Sequence, residues 1–403
     1  LYWRNILPWK SAVSNETNLE DAIEDLSSQI GMFKFTKFPT VCVIFVSAHH
    51  QEFYDFLPKL VNKSLKSDIL IGCSGTGVIG NGLELEGKPG VSVAYGVLPS
   101  VKMNPFHMYE DDLPTLDAPP EKWEQILNVP PKECDGMLLF PDPYSIDTEH
   151  LLSGLDFTYP NTIKTGGLVS GGNKLGDNAL FIDDKVFRSG VVGISFWGNM
   201  SLETLVSNGC KPIGEPMVVT KSDENIILEL NNANPLEILG NIYETNNPRN
   251  QNLIRNSLQL GIVMDRLSQN GTNGNYLIRN ILGASETDGS IEVGELIYEG
   301  QIVQFHIRDS TTANEELNQL LENSSSKLEE HPPDSMFMFS CVGSSKEMFQ
   351  KGNSNNTVFT KNIRNIPTTG FFSNGEIGQI GDQTFLHGYT SSFTLVKSEP
   401  TNR

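Results

Sequence analysis

The segment Ile71-Gly72-Cys73-Ser74-Gly75-Thr76-Gly77-Val78-Ile79-Gly80 returns near the other end of the chain as Thr369-Gly370-Phe371-Phe372-Ser373-Asn374-Gly375-Glu376-Ile377-Gly378. Gly72, Gly77, Ile79 and Gly80 fall on Gly370, Gly375, Ile377 and Gly378 at a constant offset of 298 positions, and Gly90 falls on Gly388 at the same offset. Val91–Tyr95 and Tyr389–Phe393, both rich in strand-forming residues, follow the two copies. Self-similarity of this kind restricts a chain to repeated supersecondary units. Two fainter copies run from Thr165 through Gly171-Gly172 to Gly190–Trp197, and from Ile281 through Gly283 to Gly300–Phe305.

Each copy reads as a strand entering a Gly-rich loop followed by two antiparallel strands, with glycines allowing close backbone approach. A strand and a helix precede three of them. Thr40–Val46 is a continuous apolar run, the pattern of a strand buried on both faces. Phe53, Phe56, Leu57, Leu60 and Leu65 then recur at helical spacing. Gly136–Phe140 precedes a helix over Thr148–Leu155 capped by Asp147 or Ser145, and Ser335–Cys341 precedes a helix over Ser344–Phe349. A first helix is expected over Leu19–Ile30, capped by Asn18 or Thr17. Exposed turns are expected at Asn246–Asn252, Gln269–Asn275 and Glu329–Asp334. The expected fold is a mixed α/β, pseudo-symmetric sandwich of largely antiparallel and mixed sheets covered by helices, built from repeated β-α-β-β units. The polar run Lys221-Ser222-Asp223-Glu224 divides it into domains 1–220 and 221–403.

A net charge of −20 repels a phosphate backbone, so nucleic acid is not an expected partner. No apolar run reaches the length of a membrane span. Five widely spaced cysteines, an odd number without zinc-like spacing, point to free thiols in a reducing, intracellular compartment. The chain begins at Leu1, and no compartment is read from that end.

Several residues invite a chemical role. Asp142 and Tyr144, in Pro-Asp-Pro-Tyr, follow the strand at Gly136–Phe140, where α/β folds bind ligands; a capped turn explains them equally. The glycines from Gly72 to Gly80 could present N–H groups to an anion, although no Gly-Lys-Ser/Thr follows and a tight turn is the simpler account. Cys73 and Ser74 could serve as nucleophiles only with a base nearby, and His107 and His387 are the conceivable ones; buried small residues are the expectation. His387 otherwise reads as a turn residue bonded to backbone. The pair His49-His50 has no carboxylate at ligand spacing, and no metal or cofactor is expected. Glu376, among Ser373 and Asn374, could hold an ammonium group or cap a loop.

Leu70–Ser74 with Leu98-Pro99 and Pro105-Phe106-His107, Gly209–Pro216, Tyr276–Gly283 with Gly300–Asp309, and Gly370–Gly378 with Phe385–Thr390 together resemble the paired N and C domains of FIST proteins over nearly the whole chain. The overall sequence is most similar to stand-alone members from cyanobacteria and plastid-bearing eukaryotes. The resemblance implies a non-enzymatic sensory module for a small polar ligand such as an amino acid. The ligand would sit in a cleft between two halves lined by Gly72, Cys73, Ser74, Asp142, Tyr144, Phe371, Ser373, Asn374, Glu376 and His387. It also implies a protein partner, since no output domain is present, with a plastid complex at the thylakoid surface as the alternative setting. Members often carry Arg-Gly where this chain has Gly343-Ser344, which puts an anion-binding arginine in doubt. A Cys73 or Ser74 hydrolase is the third expectation.

Overall fold

The computed structural model describes residues 9–31, 37–207, 209–264, 276–308, 318–319, 322, 331–342 and 366–398. The chain forms two compact units. The first is Leu1–Ser207 with Asn318–Leu386 and Thr390–Arg403; the second is Asn208–Leu317 with His387–Tyr389. The polar run at 221–224 lies inside the second unit, at the end of one of its strands.

In the first unit, β1 (Trp9–Ser14), α1 (Leu19–Ile30), β2 (Thr40–Ser47), a 3₁₀ turn (Ala48–Phe53), α2 (Leu57–Ser64), β3 (Ile69–Gly75), β4 (Gly77–Gly80), β5 (Leu83–Glu86) and β6 (Val91–Val97) make one module. A second follows the same plan with β7 (Val101–Met108), α3 (Pro120–Leu127), β8 (Gly136–Pro141), α4 (Thr148–Thr158), β9 (Ile163–Gly167), β10 (Leu180–Ile182), β11 (Lys185–Phe187) and β12 (Val191–Gly198). The third opens with β13 (Met200–Ser207). There the chain leaves to build the second unit from β14 (Cys210–Asp223), β15 (Ile226–Leu230), α5 (Pro235–Thr245), α6 (Pro248–Ser257), β16 (Leu258–Val263), β17 (Tyr276–Ala284), β18 (Ile291–Val293) and β19 (Ile302–Arg308). The module resumes with β20 (Ser335–Cys341), β21 (Thr368–Ser373), β22 (Glu376–Ile380), β23 (Gln383–His387) and β24 (Ser391–Ser398).

Three six-stranded sheets result, all with one wiring: β1-β6-β2-β3-β10-β11, β7-β12-β8-β9-β22-β23 and β13-β24-β20-β21-β4-β5. In each, β2, β8 or β20 pairs in parallel with β3, β9 or β21 and antiparallel with the module's last strand, β6, β12 or β24. The short hairpin of each module is handed to a neighbour. β4–β5 of the first joins the third, β10–β11 of the second joins the first, and β22–β23 of the third joins the second. The expected β-α-β-β repeat is therefore present, in three copies closed into a cycle. The copy expected over Ile281–Phe305 is not one of them; it falls on β17–β19 of a closed antiparallel barrel.

The repeated glycines have a steric cause. Gly72, Gly166 and Gly370 stand opposite Ile44, Leu139 and Met338 in the three parallel pairs. A Cβ would lie 1.7, 1.9 and 1.7 Å from the carbonyl oxygens of those partners, so no other residue fits. One residue along from those partners are Phe45, Phe140 and Phe339, fully buried, whose ring centroids lie 5.4, 6.2 and 6.0 Å apart pairwise. They meet in the core shared by the three sheets, with Phe371 stacked on Phe45 at 4.9 Å. The equivalence also corrects the constant offset: Val93 and Phe393 hold the same place opposite Ile44 and Met338, so the third module carries two extra residues, and Gly90 corresponds to Thr390 rather than Gly388.

Alternation in β2 sends Val41, Val43 and Phe45 to this shared core and Cys42, Ile44 and Val46 to the helix side. α1 covers that side with Leu19, Ala22, Ile23, Leu26 and Ile30, and the Asn18 side chain accepts the N–H groups of Glu20 and Asp21. α4 is capped by Asp147, whose carboxylate accepts His150 N–H at 2.9 Å. The helix expected from Phe53 onward is broken. A 3₁₀ turn ends at Phe53, α2 starts at Leu57, and Phe53 and Phe56 are exposed. Pro58 sits in the first turn of α2, where its missing N–H is harmless, which explains the late start. The turn expected at Asn246–Asn252 is instead the start of α6, with Asn247 as cap and Pro248 first in the helix. The segments at Ser344–Phe349, Gln269–Asn275 and Gly343-Ser344 lie outside the described residues.

Candidate functional site

The carboxyl ends of the parallel strands in the first unit are tied together by a small set of buried polar groups. At the end of β2, just past β8 and at the end of β20, one residue gives its backbone N–H to the residue that precedes the module's last strand. Ser47, Asp142 and Cys341 donate N–H to the carbonyls of Gly90, Gly190 and Thr390 at 2.9, 2.9 and 3.1 Å. The returning N–H groups each need an acceptor, and the three modules solve this differently. Gly90 N–H goes to Ser47 Oγ at 2.9 Å, Gly190 N–H to Ser145 Oγ at 2.8 Å, and Thr390 N–H to Glu376 Oε2 at 3.2 Å.

Glu376 is thus internal. It is wholly buried, and its carboxylate also accepts the hydroxyls of Ser373 and Thr390, each at 2.7 Å. That arrangement is a cap within the third module, not an open seat for an ammonium group. Asp142 is equally buried. Asn178 Nδ2 donates to its Oδ1 at 2.8 Å, and Ser145 Oγ donates a short bond to its Oδ2. Asn178 Oδ1 in turn accepts Gly172 N–H at 2.8 Å, and the Tyr144 hydroxyl reaches Gly172 O at 3.4 Å. Asp142 therefore shapes the loop 168–178 from below, while Tyr144, 43% exposed, faces outward.

Ser170 is the hub of that loop. Its buried hydroxyl donates to Phe372 O and accepts Thr76 N–H at 2.8 Å, with Thr76 Oγ1 at 3.3 Å. Ser74 Oγ donates to Ser170 O at 3.2 Å and accepts Ala179 N–H at 3.1 Å. On the third module, Asn374 donates its N–H to Leu168 O at 3.1 Å and its amide to Val169 O at 3.3 Å, and its side chain is exposed. Gly171 packs so closely on Gly75 that a Cβ would sit 2.9 Å from the Gly75 carbonyl oxygen.

Of the residues predicted from sequence, the structure brings Ser74, Asp142, Tyr144 and Asn374 around one loop. The Gly72–Gly80 segment is not an anion-binding loop: it is two strands, and the chain changes sheet between Gly75 and Gly77. Cys73 is enclosed, and burial pushes its thiol well above the ordinary range, which is the reverse of a nucleophile's requirement. Ser74 Oγ is bonded to a backbone carbonyl and a backbone amide, neither of which is a base. The buried Tyr54 hydroxyl also neighbours Ser74, and burial raises its pKa. Phe371 and Ser373 are buried in strand and core, and His387 is buried at the end of β23. His50 is buried and its imidazole pKa is lowered by desolvation, whereas His49 is exposed. No group of three or more metal-type side chains gathers among the described residues. A shallow pocket beside α3, lined by Glu121, Glu124, Gln125, Asn128, Val129 and Pro130, touches none of these residues.

Ser145, Ser170, Asn178 and Thr76 were not singled out for chemistry in the sequence. Ser145 had a local signal, an Asp-Pro-Tyr-Ser turn with a carboxylate three residues before a hydroxyl. Ser170 and Asn178 had none, because their partners are distant in the chain.

Residues 40–233 match the FIST N domain and residues 235–379 the FIST C domain. FIST domains are generally associated with sensory signal transduction and small-ligand binding. An uncharacterized protein of Mycobacterium tuberculosis is 35% identical over 360 residues, 89% of this chain and 91% of its own. An uncharacterized protein of Mycobacterium bovis is 37% identical over 261 residues, 65% of this chain and 67% of its own. These relatives are bacterial and lend no support to a plastid or thylakoid setting. Among solved structures, one described as "Cyanuric acid hydrolase: evolutionary innovation by structural concatenation" aligns over 97% of this chain and 99% of its own at 7% identity, with a TM-score of 0.34. No described helix is long and apolar enough to cross a membrane.

Proposed function

This chain belongs to the FIST family, and from that premise we propose that it is a non-enzymatic sensor whose first unit binds a small polar molecule, of amino-acid size, on the loop 168–178. One observation carries the reading. Ser170 stands in the second module, accepts Thr76 N–H from the first and donates to Phe372 O of the third. A ligand that displaces this loop perturbs all three sheets together. It thereby favours one arrangement of the unit over another, provided it binds the two with different affinity.

The groups that meet the ligand are the exposed Tyr144, Asn173 and Asn374 and the half-buried Thr76. Asp142 acts behind them by fixing Asn178 and hence the backbone at Gly172. Binding without turnover is supported by the enclosure of Cys73 and by the partners of Ser74, which are a carbonyl and an amide. All five cysteines are free, which supports a reducing, intracellular setting.

Isothermal calorimetry of the whole chain against a panel of amino acids and their small analogues tests the proposal. At least one member should give saturable heat, and Asn374→Ala or Tyr144→Phe should weaken it about tenfold, the loss of one good polar contact. Silence across the panel, or affinities untouched by both substitutions, defeats it.

A further inference from the structure

The barrel carries an apolar row on its outer wall that the ligand site does not use. The chain from Gly294 to Gly300 runs across the barrel: Gly294 N–H bonds Asn280 O, Ile297 N–H bonds Glu224 O and Gly300 N–H bonds Val219 O. Alternation along this stretch turns Ile297 inward, 2% exposed, and leaves Leu296 and Tyr298 outside at 54% and 58%. Leu282, 58% exposed, stands beside the same strip; a Cβ on Gly294 would touch its Cδ2 at 4.0 Å. A single exposed leucine is ordinary, whereas two leucines and a tyrosine in one row are the composition of an interface core.

The rim of that row is acidic. Asp223, Glu224, Glu292 and Glu299 are exposed around it, and Ser222 Oγ bonds Ile297 O at 3.0 Å, which brings the β14–β15 turn against the strip. Arg279 is engaged by Glu295 at 2.8 Å and does not offset the four carboxylates. A second copy of the chain docking symmetrically would set this rim against itself, and phosphate-rich surfaces would meet the same repulsion.

We propose that this face docks a basic protein segment whose aliphatic or aromatic side chains lie over Leu282, Leu296 and Tyr298 while its lysines or arginines meet the carboxylate rim. The docking is independent of the ligand site and does not rest on it.

Fluorescence anisotropy of the whole chain with a short labelled peptide that alternates lysine with leucine and tryptophan provides the test. Leu296→Ser and Tyr298→Ser should each weaken binding roughly tenfold, as expected for residues at the centre of an interface. Glu292→Gln with Glu299→Gln should flatten its dependence on salt. Glu121→Gln with Glu124→Gln, acidic residues on α3, should change neither. The proposal is overturned if the peptide fails to saturate, if the α3 pair matters as much as the barrel residues, or if Leu296→Ser and Tyr298→Ser leave affinity unchanged. It is also overturned if sedimentation shows a dimer of the chain that these two substitutions dissolve, since the occupant would then be a second copy.

Discussion

Replacing Phe45, Phe140 or Phe339 by alanine should destabilise the first unit by similar amounts. All three rings are fully buried, and each approaches the other two and Phe371 with centroids between 4.9 and 6.2 Å. Truncating a buried phenylalanine costs about 3–5 kcal/mol through lost transfer energy and the cavity left behind. Losing ring pairs worth about 0.5–1.5 kcal/mol each places all three in the upper part of that range. Phe45→Ala with Phe140→Ala should cost less than the sum of the two, by ~1 kcal/mol, because the pair shares one contact. Urea unfolding followed by tryptophan fluorescence reads this selectively, since Trp9, Trp123 and Trp197, the tryptophans among the described residues, all fall in the first unit. A cost below about 1 kcal/mol at one position with full cost at the others would refute equivalent packing of the three modules. Strict additivity of the double variant would refute the shared core.

Gly370→Ala should abolish soluble expression, since its Cβ would lie 1.7 Å from Met338 O, whereas Gly240→Ala in α5, with open space around it, should stabilise by about 0.5–1 kcal/mol in thermal unfolding. Asp142→Asn should cost about 2 kcal/mol by urea titration, because the Ser145 hydroxyl and the Asn178 amide donate to different carboxylate oxygens, one of which becomes an NH2 donor in asparagine. Burial lowers the His306 pKa to about 4, against an opposing bond to Gln304 O. The unfolded chain therefore binds more protons between about pH 6.5 and 4, and the barrel should lose up to about 3 kcal/mol as pH falls through that window and no more below it. Hydrogen exchange of β19 amides across that range measures the loss, and His306→Gln should remove the pH dependence.

The strands and the first helix were legible because their signals are local. Thr40–Val46 declares a doubly buried strand, and Asn18 with the apolar spacing of α1 declares a capped helix. The glycine repeat was legible too, but its meaning was not. Gly72 and Gly370 read as loop residues until the parallel partner, whose carbonyl leaves no space for a Cβ, is known. The triplet Phe45, Phe140 and Phe339 escaped notice because only one residue in each run is shared. The barrel was missed for another reason: β17 to β19 has the same glycine-and-strand texture as the modules, and only pairing distinguishes them. At the site, Asp142 and Tyr144 were found from their place after a strand. Ser170 and Asn178 act across distances of 202 and 36 positions, which no periodicity encodes.

The traded hairpins have a consequence for how this chain is made. Ile79 pairs with Gly370, so β4 emerges from the ribosome long before β21 exists to receive it. Until then an apolar edge stands open, and a fragment ending at residue 233 would keep it open permanently. The FIST N stretch expressed alone should therefore be insoluble or borrow a strand from a neighbour, and the N and C halves are better regarded as a single inheritance unit than as interchangeable parts.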